Sequence, residues 1–129
     1  MRHKKTVDKL GRPTDQRLAL LRGIVTTLMV EGYVDTTLAR AKSAQSIAEK
    51  VISLARKGTL ADSRKLTAYI YGKRPFKALQ EKVLPYLPKK NSGFTKLVRI
   101  GRRRGDGAVV ARLFIPTHPN FRQSLTEPE

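Results

Sequence analysis

The sequence predicts an α+β domain of about four helices followed by an antiparallel hairpin, carried behind an extended basic arm. Three observations predict it. Between residues 15 and 83 apolar side chains recur at the three- and four-residue spacing of helices. The stretch KLVRIGRRRGDGAVVARLFI, residues 96–115, then alternates and turns back through a loop of three arginines and three glycines. A chain of 129 residues can bury one modest core but not two.

Each element has a local justification. Residues 1–14 are polar, broken by Gly11 and Pro13, and carry Arg2, His3, Lys4, Lys5, Lys9 and Arg12 against one acid, Asp8; they read as an arm with no core of its own. From Asp15, which offers an N-cap, Leu18, Leu21, Val25, Leu28 and Met29 form a stripe flanked by Arg17 and Arg22 and ending near Gly32. YVDTT, 33–37, is a β-prone link whose threonines can cap the next helix. That second helix, 38–57, aligns Ala41, Ala44, Ala48, Val51 and Ala55, small enough for another helix to approach closely, and Gly58 closes it. TLADSRKLTAYIY supplies a third helix with Leu60, Leu66 and Ile70 as a weaker apolar set. GKRP breaks it, and Phe76, Leu79 and Val83 mark a short fourth helix from near Pro75. Pro85, Pro88 and KKNSG lead into the hairpin, and the three prolines of PTHPNFRQSLTEPE read as a flexible extension over 116–129. The expected division is therefore an arm at 1–14, one domain at 15–115 and a tail.

Composition narrows the function. Twenty-seven Lys and Arg against ten Asp and Glu give a formal charge of +17, well above the magnitude of about 2 to 8 that keeps a small domain soluble. Self-repulsion on that scale disfavours a compact state unless a polyanion neutralises it, and nucleic acid is the leading partner ahead of an anionic membrane. No cysteine is present, which excludes disulfides and thiolate metal sites. No run approaches the roughly 18 apolar residues of a membrane span. No cofactor, no membrane and no small-molecule substrate are expected.

Catalysis fares badly. The two histidines, His3 and His118, fall in the terminal segments, the acids are scattered singly, and metal-ligand spacing is absent. The RGD at 104–106 is better explained by turn formation than by adhesion, since Gly and Asp tolerate the left-handed backbone of a tight loop. Arg102, Arg103 and Arg104 exceed what solubility of a hairpin tip requires, and their planar forks match phosphate geometry. The arm continues into Arg17 and Arg22 as a cationic track. Phe94, beside Lys96 at the hairpin entry, either stacks on a base or packs in the core.

Helices 15–32 and 38–57 with a charged hairpin also permit a winged-helix DNA reader, residues 38–57 lying in the major groove. Charge spread over arm, helices and hairpin favours burial among RNA segments instead.

The stretches MRHKK (1–5), DQRLALLR (15–22), TTLARAK (36–42), LARKG (54–58) and GFTKLVRIGRRRGDGA (93–108), in this order and spacing, resemble the bacterial-type large-subunit ribosomal protein seventeen family over about residues 1–115. GRPTDQRLALLRG is more similar to its cyanobacterial and plastid members, so the implied home is a ribosome of the bacterial cytoplasm or of an organelle. The resemblance implies helices packed beside a small antiparallel sheet that YVDTT joins as a short strand. It also implies a place near the exit of the nascent-chain tunnel, with large-subunit rRNA and neighbouring ribosomal proteins as partners. RNA contacts are implied for the arm, for Thr36, Thr37, Arg40 and Lys42, and for Phe94, Lys96, Arg99 and Arg102–Arg104. The sequence departs from the family where GFTK replaces the usual Gly-Tyr-Thr-Arg, losing a hydroxyl at Phe94 and a bidentate fork at Lys96. A second departure is AKSAQSIAEK, where the family usually carries Lys-Glu-Leu-Arg after the first alanine.

Overall fold

A computed structural model of the chain describes residues 9–121. Helix α1 spans Thr14–Glu31, strand β1 Tyr33–Thr37, helix α2 Leu38–Lys57, helix α3 Leu60–Leu66 and helix α4 Lys73–Ala78. The chain continues from α4 through a π turn, Leu79–Val83, and a 3-10 turn, Leu84–Tyr86, before strands β2 (Lys96–Arg102) and β3 (Val109–Phe114). The three strands form one antiparallel sheet in the order β1-β3-β2.

The core lies where α2, packed on the sheet, meets α1. Leu21, Ile24, Val25, Leu28 and Met29 of α1 meet Ala41, Ala44, Ala48, Val51 and Ile52 of α2, with Ala111 and Leu113 of β3 beneath. The alanines let the helices approach closely and let α2 touch α1, α3 and all three strands. An element enclosed on so many sides is a scaffold, which argues against α2 as the presented reading helix of a winged-helix protein.

Several local expectations are corrected. Leu18 is 52% exposed, because the first turns of α1 lie outside the packed crossing, and Ile24 takes a place in the stripe. Asp15 sits inside the first turn of α1 rather than at its N-cap, where Pro13 stands without a side-chain bond. Thr37 also caps nothing, since it is already committed to β1. The capping threonine is Thr59: its Oγ1 accepts from the Asp62 backbone N–H at 3.1 Å and donates to the Asp62 carboxylate at 2.6 Å. Helix α3 stops at Leu66, where the Thr67 hydroxyl bonds back to the Arg64 carbonyl, and Leu60 is left 69% exposed.

The segment after β3 is packed as far as the description reaches. Ile115 donates its N–H to the Gly32 carbonyl, and His118 is fully buried. His118 Nε2 bonds the Met29 carbonyl at 3.0 Å, and the Asn120 side-chain amide donates to the Val30 carbonyl at 3.1 Å. These are carbonyls of the last turn of α1, which the helix itself leaves without partners. Phe121 stacks on Phe114 with centroids 4.5 Å apart. Residues 116–121, expected in a flexible extension, thus close the end of α1; residues 122–129 lie outside the described part. Gly32 makes the closure sterically feasible. Its φ of +86° ends α1 in the left-handed region, and a Cβ there would lie 2.7 Å from the His118 ring.

Candidate nucleic-acid interface

The hairpin is mounted on α2 through one acid. Glu49, in the middle of that helix, accepts the backbone N–H groups of Phe94 (3.2 Å) and Thr95 (2.8 Å) and the Thr95 hydroxyl (2.6 Å). Arg56, two turns further on, bonds the Lys90 carbonyl and holds its guanidinium 5.8 Å from the Phe94 ring centroid. Phe94 and Thr95 are buried as a result. The Phe94 ring therefore fills the core and is not presented to a base.

Beyond this anchor the hairpin leaves the domain. Every residue of β2 from Val98 to Arg102 is exposed. A bulge between Arg99 and Gly101 inserts Ile100 opposite the Ala111–Val110 step, which increases the local twist of the strand pair. Arg99 stands opposite Ala111, whose side chain is buried, yet Arg99 itself is exposed on β2, an edge strand of the sheet.

At the tip, the loop 103–108 is closed by Arg103 N–H to Ala108 carbonyl (2.7 Å) and Gly107 N–H to Arg103 carbonyl (3.0 Å), with Gly105 and Gly107 at positive φ. Asp106 accepts from the Arg103 guanidinium and from the Ala108 N–H. The bonds to Arg103 hold the Asp106 carboxyl well below the usual carboxylate range and raise the Arg103 pKa in return. Arg103 is thus committed to shaping the loop, as the turn reading of RGD anticipates for Asp106. The side chains of Arg102 and Arg104 make no hydrogen bond or ion pair among the described residues; they are the charges the tip presents.

The register brings a second group to the same end of the sheet. Thr37, Val110 and Gly101 lie in one row across β1, β3 and β2. The start of α2, with exposed Lys42 and half-buried Arg40, is therefore at the sheet end from which the hairpin loop projects, and Thr36 and Thr37 lie on the strand leading to it. Lys96 is exposed at the opposite end of β2, across from Phe114. Exposed Lys9 and Arg12 and half-buried Arg17 lie before and on the first turn of α1, and no hydrogen bond or ion pair joins them to the tip. Arg2, His3, Lys4 and Lys5 lie outside the described residues.

Arg22 does not continue the cationic track. Its guanidinium donates to the carbonyls of Thr67 (3.0 Å) and Ile70 (3.3 Å) and stacks 3.9 Å from the Tyr71 ring centroid, tying α1 to the turn after α3.

The sequence profile of the family described as Ribosomal protein L17 matches residues 20–115. The chain is 44% identical over 105 residues to a protein named large ribosomal subunit protein bL17 from Clostridium perfringens, covering 81% of this chain and 93% of that one. The protein of the same name from Clostridium acetobutylicum is 43% identical, covering 81% and 92%.

The chain belongs to the ribosomal protein L17 family. The matched region starts within α1 and ends just past β3, so it includes α2, the Glu49 anchor and the whole hairpin. Membership agrees with the family resemblance of the five sequence stretches, and the sheet contains the YVDTT strand that the resemblance implies.

Glu49 is the residue sequence reasoning missed. Its available signal is scarcity: in a chain of +17, each acid invites a structural explanation. Four of the described acids have one, namely Asp35 with Arg112 across β1 and β3, Glu49 at the anchor, Asp62 at the α3 cap and Asp106 in the loop.

Proposed function

We infer that this protein is a structural, non-catalytic constituent of the large ribosomal subunit, binding large-subunit rRNA and neighbouring ribosomal proteins. Family membership supports the assignment, and the relatives are bacterial. The observation that carries the RNA contact is the mounted hairpin: exposed Arg102 and Arg104 sit on a loop braced by Arg103–Asp106, behind an anchor made by Glu49. Arg99, Lys96, Thr36, Thr37, Arg40 and Lys42 extend the surface, and the arm through Lys9, Arg12 and Arg17 adds a second. Phe94 and Arg22 leave the RNA-contacting set, since one is buried and the other is bonded within the fold. The family resemblance supports a position near the nascent-chain tunnel exit. The winged-helix alternative has no support from family membership or from the packing of α2.

The mechanism is charge neutralisation by positioned cations. Lys and Arg release counterions condensed on packed phosphates, while the fold fixes where those charges stand. If roughly six to ten phosphates are contacted, affinity for isolated large-subunit rRNA falls by about three to five decades between low and moderate salt. Filter binding across a salt series tests this, and an affinity independent of salt overturns it.

A further inference from the structure

We propose that the cleft between α1 and α4 takes a single nucleotide turned out of an RNA strand, its base against Tyr71 and Phe76 and its phosphate between Lys73 and Lys77. The inference deepens the rRNA reading and rests on it. The cleft holds about 490 Å³, within the size range of sites that enclose a small molecule, roughly 300 to 1,000 Å³. A nucleotide enters such a volume, whereas a duplex does not.

Three features of the wall select the ligand. The first is a fixed aromatic surface. Tyr71 is 44% exposed, its main chain is fixed by its backbone N–H donating to the Thr26 hydroxyl at 3.2 Å, and Arg22, anchored on the Thr67 and Ile70 carbonyls, packs on one face of its ring at 3.9 Å from the centroid. A ring restricted by its main chain and by Arg22 before binding loses less entropy when a base stacks on its other face. The second is charge of one sign. Lys73 and Lys77 are exposed on α4 and line the cleft, neither makes an ion pair among the described residues, and no carboxylate is part of the described lining. The third is Gln80 on the same wall, whose amide offers a donor and an acceptor to a base edge.

Phosphate alone does not use the rings, and the carboxylates of an acidic peptide do not use them either. An unpaired nucleotide uses rings, cations and amide together, which is the mode in which proteins read single-stranded RNA. The site is separate from the hairpin tip: its residues come from α1, the turn after α3, and α4 with the turn after it, none of which contributes to the loop 103–108.

The test uses the full chain with two probes, a labelled single-stranded RNA of mixed sequence and the blunt duplex of that strand with its complement. Tyr71→Ala is expected to weaken single-strand binding roughly five- to hundred-fold, the range for loss of one base–aromatic stack, and to leave duplex binding unchanged. Lys73→Ser with Lys77→Ser, both on the surface, keeps the test valid if Tyr71→Ala lowers stability, and is expected to weaken the single strand more than the duplex. Equal losses on both probes, no loss on either, or competition by an acidic peptide that Tyr71→Ala abolishes overturns the cleft assignment. Binding of the duplex but not of the single strand sinks the cleft alone. Failure of the parent chain to bind any RNA sinks the rRNA reading with it.

Discussion

Removing the Glu49 carboxylate isolates the hairpin anchor from the rest of the fold. In Glu49→Ala the backbone N–H groups of Phe94 and Thr95, both on residues at most 5% exposed, lose their acceptor, as does the Thr95 hydroxyl. Hydrogen bonds to a charged group contribute about 1.5 to 3 kcal/mol, and an unmet buried donor costs about 1 to 3 kcal/mol. Three bonds sharing one carboxylate are not additive, and water reaches a half-buried glutamate, so the expected loss is about 2 to 4 kcal/mol. At about 2.1 cal/mol/K of unfolding entropy per residue over 129 residues, that lowers Tm by about 7 to 15 °C. Glu49→Gln keeps one carbonyl oxygen for Thr95 but turns an amide N–H₂ toward the Phe94 N–H, so its loss should be intermediate. Thermal and urea denaturation of the three proteins measure the losses, and hydrogen exchange at Phe94 and Thr95 localises them. A Glu49→Ala protein melting within a degree of the parent, or one whose Phe94 and Thr95 amides stay protected, refutes the anchor.

Other outcomes rest on the same kind of contact. Gly32→Ala places a Cβ 2.7 Å from the His118 ring at a φ of +86°; urea denaturation should show a loss of about 2 kcal/mol or more, from left-handed strain and displaced closure together. Burial depresses the His118 pKa below its ordinary 6.5, with Lys82 lowering it further and the Met29 carbonyl and Glu31 opposing. Its Nδ1 accepts the Asn120 N–H, which requires the neutral ring. The folded state therefore binds fewer protons than the unfolded one: His118 contributes fully above about pH 6.5, and the contribution is lost as pH falls from there through the depressed folded-state pKa. Denaturation between pH 7.5 and 5 should show this slope, and His118→Gln should remove it. Arg104→Ser and Arg102→Ser should each weaken rRNA binding and reduce its salt dependence, whereas Arg103→Ser should act mainly by loosening the 103–108 loop, seen as faster exchange of the Gly107 amide.

Legibility in the sequence depended on whether a signal was local. Helix α2 was readable along its face and at its C-terminal end, because the alanine stripe and Gly58 lie within or beside its own span. Gly32 and the hairpin loop were readable for the same reason. Leu18 and Leu60 misled, since helical spacing says which residues share a face but not whether a neighbour reaches that turn. The π turn at Leu79–Val83 continues a stretch with ordinary helical spacing and leaves no compositional trace. In the closing segment, prolines that read as disorder set up a tight path bringing His118 and Phe121 onto α1 and β3. The His118 bond to Met29 spans 89 residues, and no local pattern announces it.

At the site, the surplus of cations was plain, but their division was not. Arg22 and Arg103 look like Arg17 and Arg104 in sequence, and only distant or turn-specific partners separate them. The sequence allows Phe94 either to stack or to pack, and the Glu49 bonds place its backbone inside the fold. Four acids carried the missing information, since Asp35, Glu49, Asp62 and Asp106 mark where a cation or an amide is held.

Sucrose-gradient sedimentation of a native lysate, with and without ribonuclease and with each fraction probed for this protein, tests the ribosomal assignment most directly. The account predicts peaks with large subunits and monosomes that disappear after ribonuclease. A protein remaining at the top of the gradient in both conditions contradicts it.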